Sequence, residues 1–353
     1  MFPPPQSQGA DASVRLTDTD AALARLSAVQ KRYLQDPYVK HLVPRAHLQP
    51  ARPPLINIGT YVRTTAIDDL VFQWLQASHG TRCQIVSLGS GSDTRFWRIA
   101  TGPHKDALAA YVELDFPEIT SKKAMAIRKS RDLSAALGDP TKVAVSHGGT
   151  GLTSSTYHLL PADLRLPPAD TIGPLLASAS GAILSPTLPT LLLFECVLVY
   201  MTPAASSTLL QWFIDYFSPE GGGVLGSIVY EMFSLQDSFG RVMVDNLKAR
   251  NVSLPGAEPY PNLESLPGRF LNLGFTAARA LTLKEIRKSY ISPMELQRIS
   301  RLELVDEIEE LDLVLDHYAI TWGLFVPQGA SAAAWGQWGL IMKVTEQVDE
   351  DDD

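Results

Sequence analysis

Three apolar runs constrain this chain more than any other feature: "CQIVSL" (83–88), "PTLLLFECVLVYM" (189–201) and "GGVLGSIVYEMF" (222–233). A strand with one wet face alternates apolar and polar residues. These runs do not alternate, so both of their faces must be covered. Between such runs lie stretches of helical spacing. "AAYVELDF" (109–116) reads as a strand, and a helix opens after it at Pro117, carrying Ile119, Met125 and Ile127. "PAASSTLLQWFIDYF" (203–217) reads as a helix with Pro203 in its first turn. "KVAVSH" and "TYHLLPADL" are further strand candidates. Strands alternating with helices predict an α/β fold: a mainly parallel, Rossmann-like sheet with helices on both faces.

The flanks read differently. Residues 1–17 are rich in Pro, Gln, Ser and Gly and are expected to be disordered. A helix should follow, with Asp18 or Asp20 capping its first turn and Leu23, Leu26 and Val29 on one face. "RPPLINIGTY" reads as an extended approach to a helix "VRTTAIDDLVFQWLQASHG" that ends at Gly80. Residues 170–189 look like a surface insertion, and 232–316 like a largely helical addition on the substrate side. "DHYAITWGLFV" and "AAWGQWGLIMKV" look like a closing antiparallel pair. The expected organisation is a single domain over 18–345 followed by an acidic tail at 346–353.

Composition removes several function classes. The formal charge is −8, and five of the acids fall in the run 349–353, so the body is nearly balanced and lacks the basic footprint of a nucleic-acid binder. No apolar run approaches the ~18 residues of a membrane span. The N-terminus lacks a secretory signal pattern, and the two cysteines, Cys83 and Cys196, sit in or beside apolar runs as expected of reduced thiols. A cytoplasmic monomer with no metal site is expected.

The chemistry gathers around "IVSLGSGSDTRFWRI" (85–99). Gly89 and Gly91 directly after a strand let backbone approach a ligand closely. A dinucleotide fingerprint needs a third small residue where this chain has Thr94, and Asp93 beside it would repel a pyrophosphate. The turn therefore suits a nucleoside without phosphates. S-adenosylmethionine (SAM) fits, because its ammonium and sulfonium tolerate nearby carboxylates. Glu113 and Asp115 share one face of the next strand, where an acid can accept hydrogen bonds from ribose hydroxyls. Glu195 lies inside an apolar run and needs a partner, either a protein donor or a ligand. Asp163 can reach an adenine amino group. Arg63, read as lying in the first turn of its helix, opposes the macrodipole unless it binds a carboxylate.

Together "LSAVQKRYLQDPYVKHL", "GTYVRT", "SLGSGSDTRFWR", "VELDFPEIT", "ADLR", "ECVLVYMTP", "DSFGRVMVDNL" and "LELVDEIEELDLVLDHYAITW" resemble the leucine carboxyl methyltransferase family over roughly residues 18–345. The resemblance implies a class I SAM-dependent methyltransferase fold with added helices. It also implies methylation of the C-terminal leucine carboxylate of the protein phosphatase 2A catalytic subunit, which regulates holoenzyme assembly. It assigns Arg63 to the methionine carboxylate of SAM, Gly89 to close backbone approach, Asp115 to the ribose, Asp163 and Leu164 to the adenine, and Glu195 to the cofactor near its strand end. Arg25, where the family often has lysine, would contact SAM as a lid. Two positions depart from the family pattern: Ile58 replaces an arginine and Leu166 an acid.

A leucine α-carboxylate has a pKa near 3.5 and is already ionised at neutral pH, so no general base is needed. The enzyme has to desolvate and align it. Arg63 is expected to position SAM, and Tyr200 to shape the methyl-transfer end. A small-molecule O-methyltransferase, a SAM- or phosphatase-binding protein with little turnover, and an NAD dehydrogenase stand as alternatives at this point.

Overall fold

The computed structural model describes residues 5–78, 80–178, 181–219 and 221–343. Its centre is a nine-stranded sheet. In chain order the strands are β1 (Cys83–Leu88), β2 (Leu108–Asp115), β3 (Ala144–Ser146), β4 (Gly151–Thr153) and β5 (Tyr157–Pro161). A two-residue hairpin, β6 (Ala177–Ser178) and β7 (Gly181–Ala182), stands apart, and β8 (Thr190–Glu195), β9 (Leu225–Met232), β10 (Ala277–Thr282) and β11 (Tyr318–Phe325) complete the sheet. The order across it is β10-β11-β9-β8-β1-β2-β5-β4-β3. From β9 to β5 every pairing is parallel, and the strands at both edges run antiparallel.

The apolar runs do what their composition requires. Side chains of successive residues go to opposite faces. Ile85, Leu191, Leu193 and Ile228 join one core with Val62, Ile67, Leu70 and Trp74 of the helix Pro54–Ala77. Val86, Leu88, Leu192, Phe194 and Val229 join the other, against Leu209, Leu210, Phe213 and Phe217 of the helix Pro203–Phe217. Each such aliphatic side chain contributes about 1.5–3 kcal/mol by leaving water.

Several expectations need correction. The N-terminal helix runs Pro5–Gln30, so most of the stretch expected to be disordered is helical, and Asp18 and Asp20 lie within that helix instead of capping it. The next long helix starts at Pro54, with proline at its first position, so "LINIGTY" is helical and not extended. β11 pairs with β9 and β10; Ala333–Trp335 is a short 3-10 turn rather than its strand partner. β10 itself falls within the stretch expected to be largely helical. Within 170–189, Ile172, Leu176 and Leu184 are buried, so that segment is partly core and not only surface. The acidic tail 346–353 lies outside the described residues.

β1 neighbours β2 on one side and β8 on the other, so the chain direction across the sheet reverses there. A crevice opens at the carboxyl ends of strands at such a point. Gly89 makes the turn out of β1 at φ +65°, and a Cβ built there would sit 2.4 Å from Val197 Cγ2. Gly89→Ala should therefore lower stability by about 2–4 kcal/mol, from left-handed backbone strain plus overpacking. Introduced into a Val197→Ala background, it should cost measurably less by chemical denaturation. An equal cost in both backgrounds would refute the steric part.

Candidate functional site

The crevice encloses a cavity of about 370 Å³. That lies within the usual range for a small-molecule site. Arg25, Arg63, Gly89, Asp115, Asp163, Leu164, Glu195 and Tyr200 all line it, so the side chains singled out from the sequence come together in space. Its floor is the carboxyl end of the parallel sheet, and residues of the N-terminal helix from Val14 to Arg25 form the opposite wall.

The glycine turn and Asp115 form one unit. The Gly91 N–H donates to Asp115 Oδ2 at 2.7 Å, and the Phe116 N–H donates to Oδ1 at 2.7 Å. Each oxygen keeps acceptor capacity toward the cavity. Burial pushes the Asp115 carboxyl up to about 6, against the two N–H donors that lower it. Gly91, at φ +47°, leaves space for Asp18 of the N-terminal helix, whose Oδ1 accepts from the Ser92 N–H at 2.7 Å. Glu113 does not share the site. It is fully buried against Lys123 Nζ at 2.5 Å and Tyr157 Oη at 2.8 Å, and burial raises it to about 7.

Glu195 ends β8, and Cys196 follows it at φ +54°, turning the chain away from the sheet. The apolar surroundings expected for Glu195 are interrupted by two cations. Arg95 Nη2 donates to Oε1 at 2.9 Å, and Arg63 Nε lies 3.5 Å from Oε2. The partner of Glu195 is thus a protein donor in the first place. Arg63 lies well inside the helix Pro54–Ala77 rather than in its first turn, so the macrodipole reason for a bound anion does not hold. A better reason replaces it: among the described residues Arg63 Nε is buried without a hydrogen-bond partner. Its guanidinium stacks over Tyr230 at 5.1 Å, and Tyr230 in turn stacks on Tyr318 at 5.4 Å. Cys196 is half-buried and lines the cavity, and burial raises its thiol to about 12; Cys83 is buried, and both are free.

Asp163 is held by Arg165, whose Nε and Nη2 donate to it at 2.9 and 2.7 Å, and Arg165 also grips Asp11 of the N-terminal helix. Phe116 lies within cation–π reach of both Arg165 and Arg15, at 5.2 and 5.6 Å. Arg25 donates through Nε to Asp36 at 2.6 Å. Tyr200 is not on a strand: β8 stops at Glu195, and Tyr200 closes a 3-10 turn, Leu198–Tyr200. Burial pushes its hydroxyl well above the usual phenol range. Neither departure from the family pattern touches the cavity wall. Ile58 is buried in the apolar core and Leu166 is half-exposed outside the cavity.

The sequence reading missed Arg95. It is 2% exposed and contacts three carboxylates: Asp68 at 3.0 Å, Asp93 at 2.6 Å and Glu195 at 2.9 Å. The signal was present, since two arginines, Arg95 and Arg98, interrupt the otherwise apolar "RFWRIA" and need partners for the same reason that Glu195 does. Arg95→Ala should lower stability by about 3–5 kcal/mol by stranding buried carboxylates. Opposing arginines hold Asp68 and Asp93 below the usual carboxylate range even though burial raises both. Their contribution is therefore present above pH ~4 and fades as pH falls through the lowered values. The deficit of the variant should hold from pH 7 to pH ~4 and narrow below it, which denaturation at pH 7, pH ~4 and pH ~2 would check.

Residues 13–214 match the family model described as leucine carboxyl methyltransferase. The chain is 47% identical over 348 residues to leucine carboxyl methyltransferase 1 of Cryptococcus neoformans, covering 91% of this chain and 95% of that one. It is 37% identical to the protein of that name from Aspergillus fumigatus, covering 94% and 87%. It is 36% identical to that from Bos taurus, covering 88% and 90%.

Proposed function

Because the chain belongs to the leucine carboxyl methyltransferase family and is a SAM-dependent carboxyl methyltransferase, we propose that its acceptor is the C-terminal leucine α-carboxylate of the protein phosphatase 2A catalytic subunit. Methylation would then regulate holoenzyme assembly. A cytoplasmic monomer acting on that tail belongs to the same proposal. Among the described residues no helix is long and apolar enough to cross a membrane.

The cavity fits the cofactor on its own chemistry, and one observation carries the fit. Arg63 Nε, beside Glu195 at the end of β8, is a buried donor with no hydrogen-bond partner among the described residues, and Asp115, at the end of β2 on the other side of β1, is a buried carboxylate with spare acceptor capacity. Arg63 would hold the methionine carboxylate, and Asp115 the ribose hydroxyls. Phe116, Asp163 and Leu164 would flank the adenine. Gly89 and Gly91 line the same cavity, and their positive φ turns the backbone along its floor. Arg25 belongs to the wall formed by the N-terminal helix, although its Nε is already committed to Asp36. SAM supplies a methyl group on a cationic sulfur.

The remaining work is positioning. The acceptor is already an anion at neutral pH, so no residue has to remove a proton. The methyl-transfer end is walled by Tyr200, Met201, Met232 and Tyr318, which exclude water around the carboxylate. Anion and sulfonium neutralise each other as the bond forms, so a dry site favours transfer. The motive for a non-catalytic reading disappears, since Ile58 sits in the core and not in the cavity.

Purified chain with SAM should methylate the phosphatase catalytic subunit and fail once its terminal leucine is removed. Label that persists without that leucine would sink the acceptor assignment. Arg63→Ala should weaken SAM binding by roughly tenfold or more, as expected for loss of a charged hydrogen bond. Calorimetry showing unchanged affinity would remove Arg63 from the site. Ribose hydroxyls donate best to the ionised form of Asp115, whose free-protein pKa is raised to about 6. SAM affinity should therefore rise by up to about tenfold from pH 5 to pH 7. Asp115→Asn should flatten most of that slope, and a flat wild-type profile would contradict the ribose role.

A further inference from the structure

The acceptor is a carboxylate, so the cavity has to offer it a cation that is not permanently engaged. Five arginines line the wall: Arg15, Arg25, Arg63, Arg165 and Arg250. Arg25 is buried and bound to Asp36 at 2.6 Å. Arg63 faces Glu195 and Tyr230, on the cofactor side. Arg165 is held by both Asp163 and Asp11, and Arg15 lies with it against Phe116, beside the ribose acid. Arg250 differs. It follows the helix Ser238–Ala249, and its Nη2 donates to Asp20 of the N-terminal helix. The two side chains are 53% and 48% exposed, so this ion pair is weak and exchangeable.

Its surroundings suit a leucine terminus. Leu247, Met201 and Met232 line the same cavity and supply apolar wall. The chain just after Arg250 packs onto the turn that carries Tyr200: a Cβ on Gly256 would lie 2.1 Å from the Leu198 carbonyl oxygen and 2.9 Å from that of Met201. Arg250 and Tyr200 line the same cavity, close enough for the Arg250 charge to act on the Tyr200 hydroxyl. Asp20 also has a second cation waiting, with Arg52 Nη2 3.8 Å from its Oδ1.

We propose that Arg250 is the acceptor-carboxylate receptor and that Asp20 occupies it as an internal carboxylate until the peptide terminus displaces it toward Arg52. The inference rests on the leucine-acid reading above. Arg250 holds one carboxylate oxygen, and the other oxygen's lone pair forms the new C–O bond. The methyl–sulfur bond breaks with its electron pair going to sulfur, and no proton moves. The product ester is neutral and competes poorly with Asp20 for Arg250, so the returning aspartate favours release.

The test uses the full chain, saturating SAM, and two probes: a peptide ending in free leucine and the same peptide as its C-terminal amide. Wild type should bind and methylate the acid only. Arg250→Ala should raise KM for the acid by about tenfold or more, as for loss of a charge-assisted hydrogen bond, with SAM affinity unchanged. Arg250→Lys should recover part of the loss, and Asp20→Asn should lower KM. If KM is unmoved in Arg250→Ala while wild type still selects the acid, Arg250 is not the receptor and the acceptor reading survives. A wild type that binds SAM but methylates neither peptide overturns both.

Discussion

The site depends on the Arg95 guanidinium. One buried cation joins the helix Pro54–Ala77 through Asp68, the glycine turn through Asp93 and the end of β8 through Glu195. Around it Arg98 adds a second grip on Asp68, Arg63 faces Glu195, and Asp36 takes both Arg25 and Thr94. Four arginines face four carboxylates in this network. Networks of this kind seldom contribute more stability than well-packed apolar residues would. Their effect here is geometric: three separate chain segments are held at fixed distances around one cavity.

That geometry also sets what the cavity can bind. The arginine most in need of a partner, Arg63, is tethered on one side only, by an ion pair of 3.5 Å without a hydrogen bond. Asp115, at the end of β2, has two backbone donors but no ion pair of its own among the described residues, which is why burial dominates its titration. A ligand with a carboxylate at one end and hydroxyl donors at the other completes both. A pyrophosphate offers Asp115 no donor, and it would face the Asp93 carboxylate as well.

Much of this was legible in the sequence, for identifiable reasons. β1, β8 and β9 announce themselves because burial on both faces leaves largely apolar runs that do not alternate. Pro117 and Pro203 mark helix starts because a missing N–H is harmless there. Asp115 and Glu195 stand out because acids in apolar strands need partners. The helical spacing of Leu23, Leu26 and Val29 marks the second half of the N-terminal helix; its first half was missed because its composition argues for disorder, and the contacts of the helix lie far along the chain: Asp11 with Arg165, Asp18 with Ser92 and Asp20 with Arg250. β10 was missed because an edge strand reading "AARALT" is only partly buried and carries no strong period. Tyr200 was placed on a strand because the apolar run continues past Glu195; only the positive φ at Cys196 ends it, and composition does not encode that.

The ion pairs grade with depth. At the bottom, Arg95 and Asp68 are nearly inaccessible, and separating them would strand charges in a low-dielectric interior. At the rim, Arg250 and Asp20 are half in water, where such a pair is worth at most about 1 kcal/mol. The deep pairs therefore act as fixed framework, and the rim pairs as exchangeable contacts between the N-terminal helix and the body. A catalyst that must admit a charged cofactor and a leucine carboxylate, then release a neutral ester, needs this division. Its interior charges cannot be allowed to rearrange with each ligand, and its outer charges must be able to.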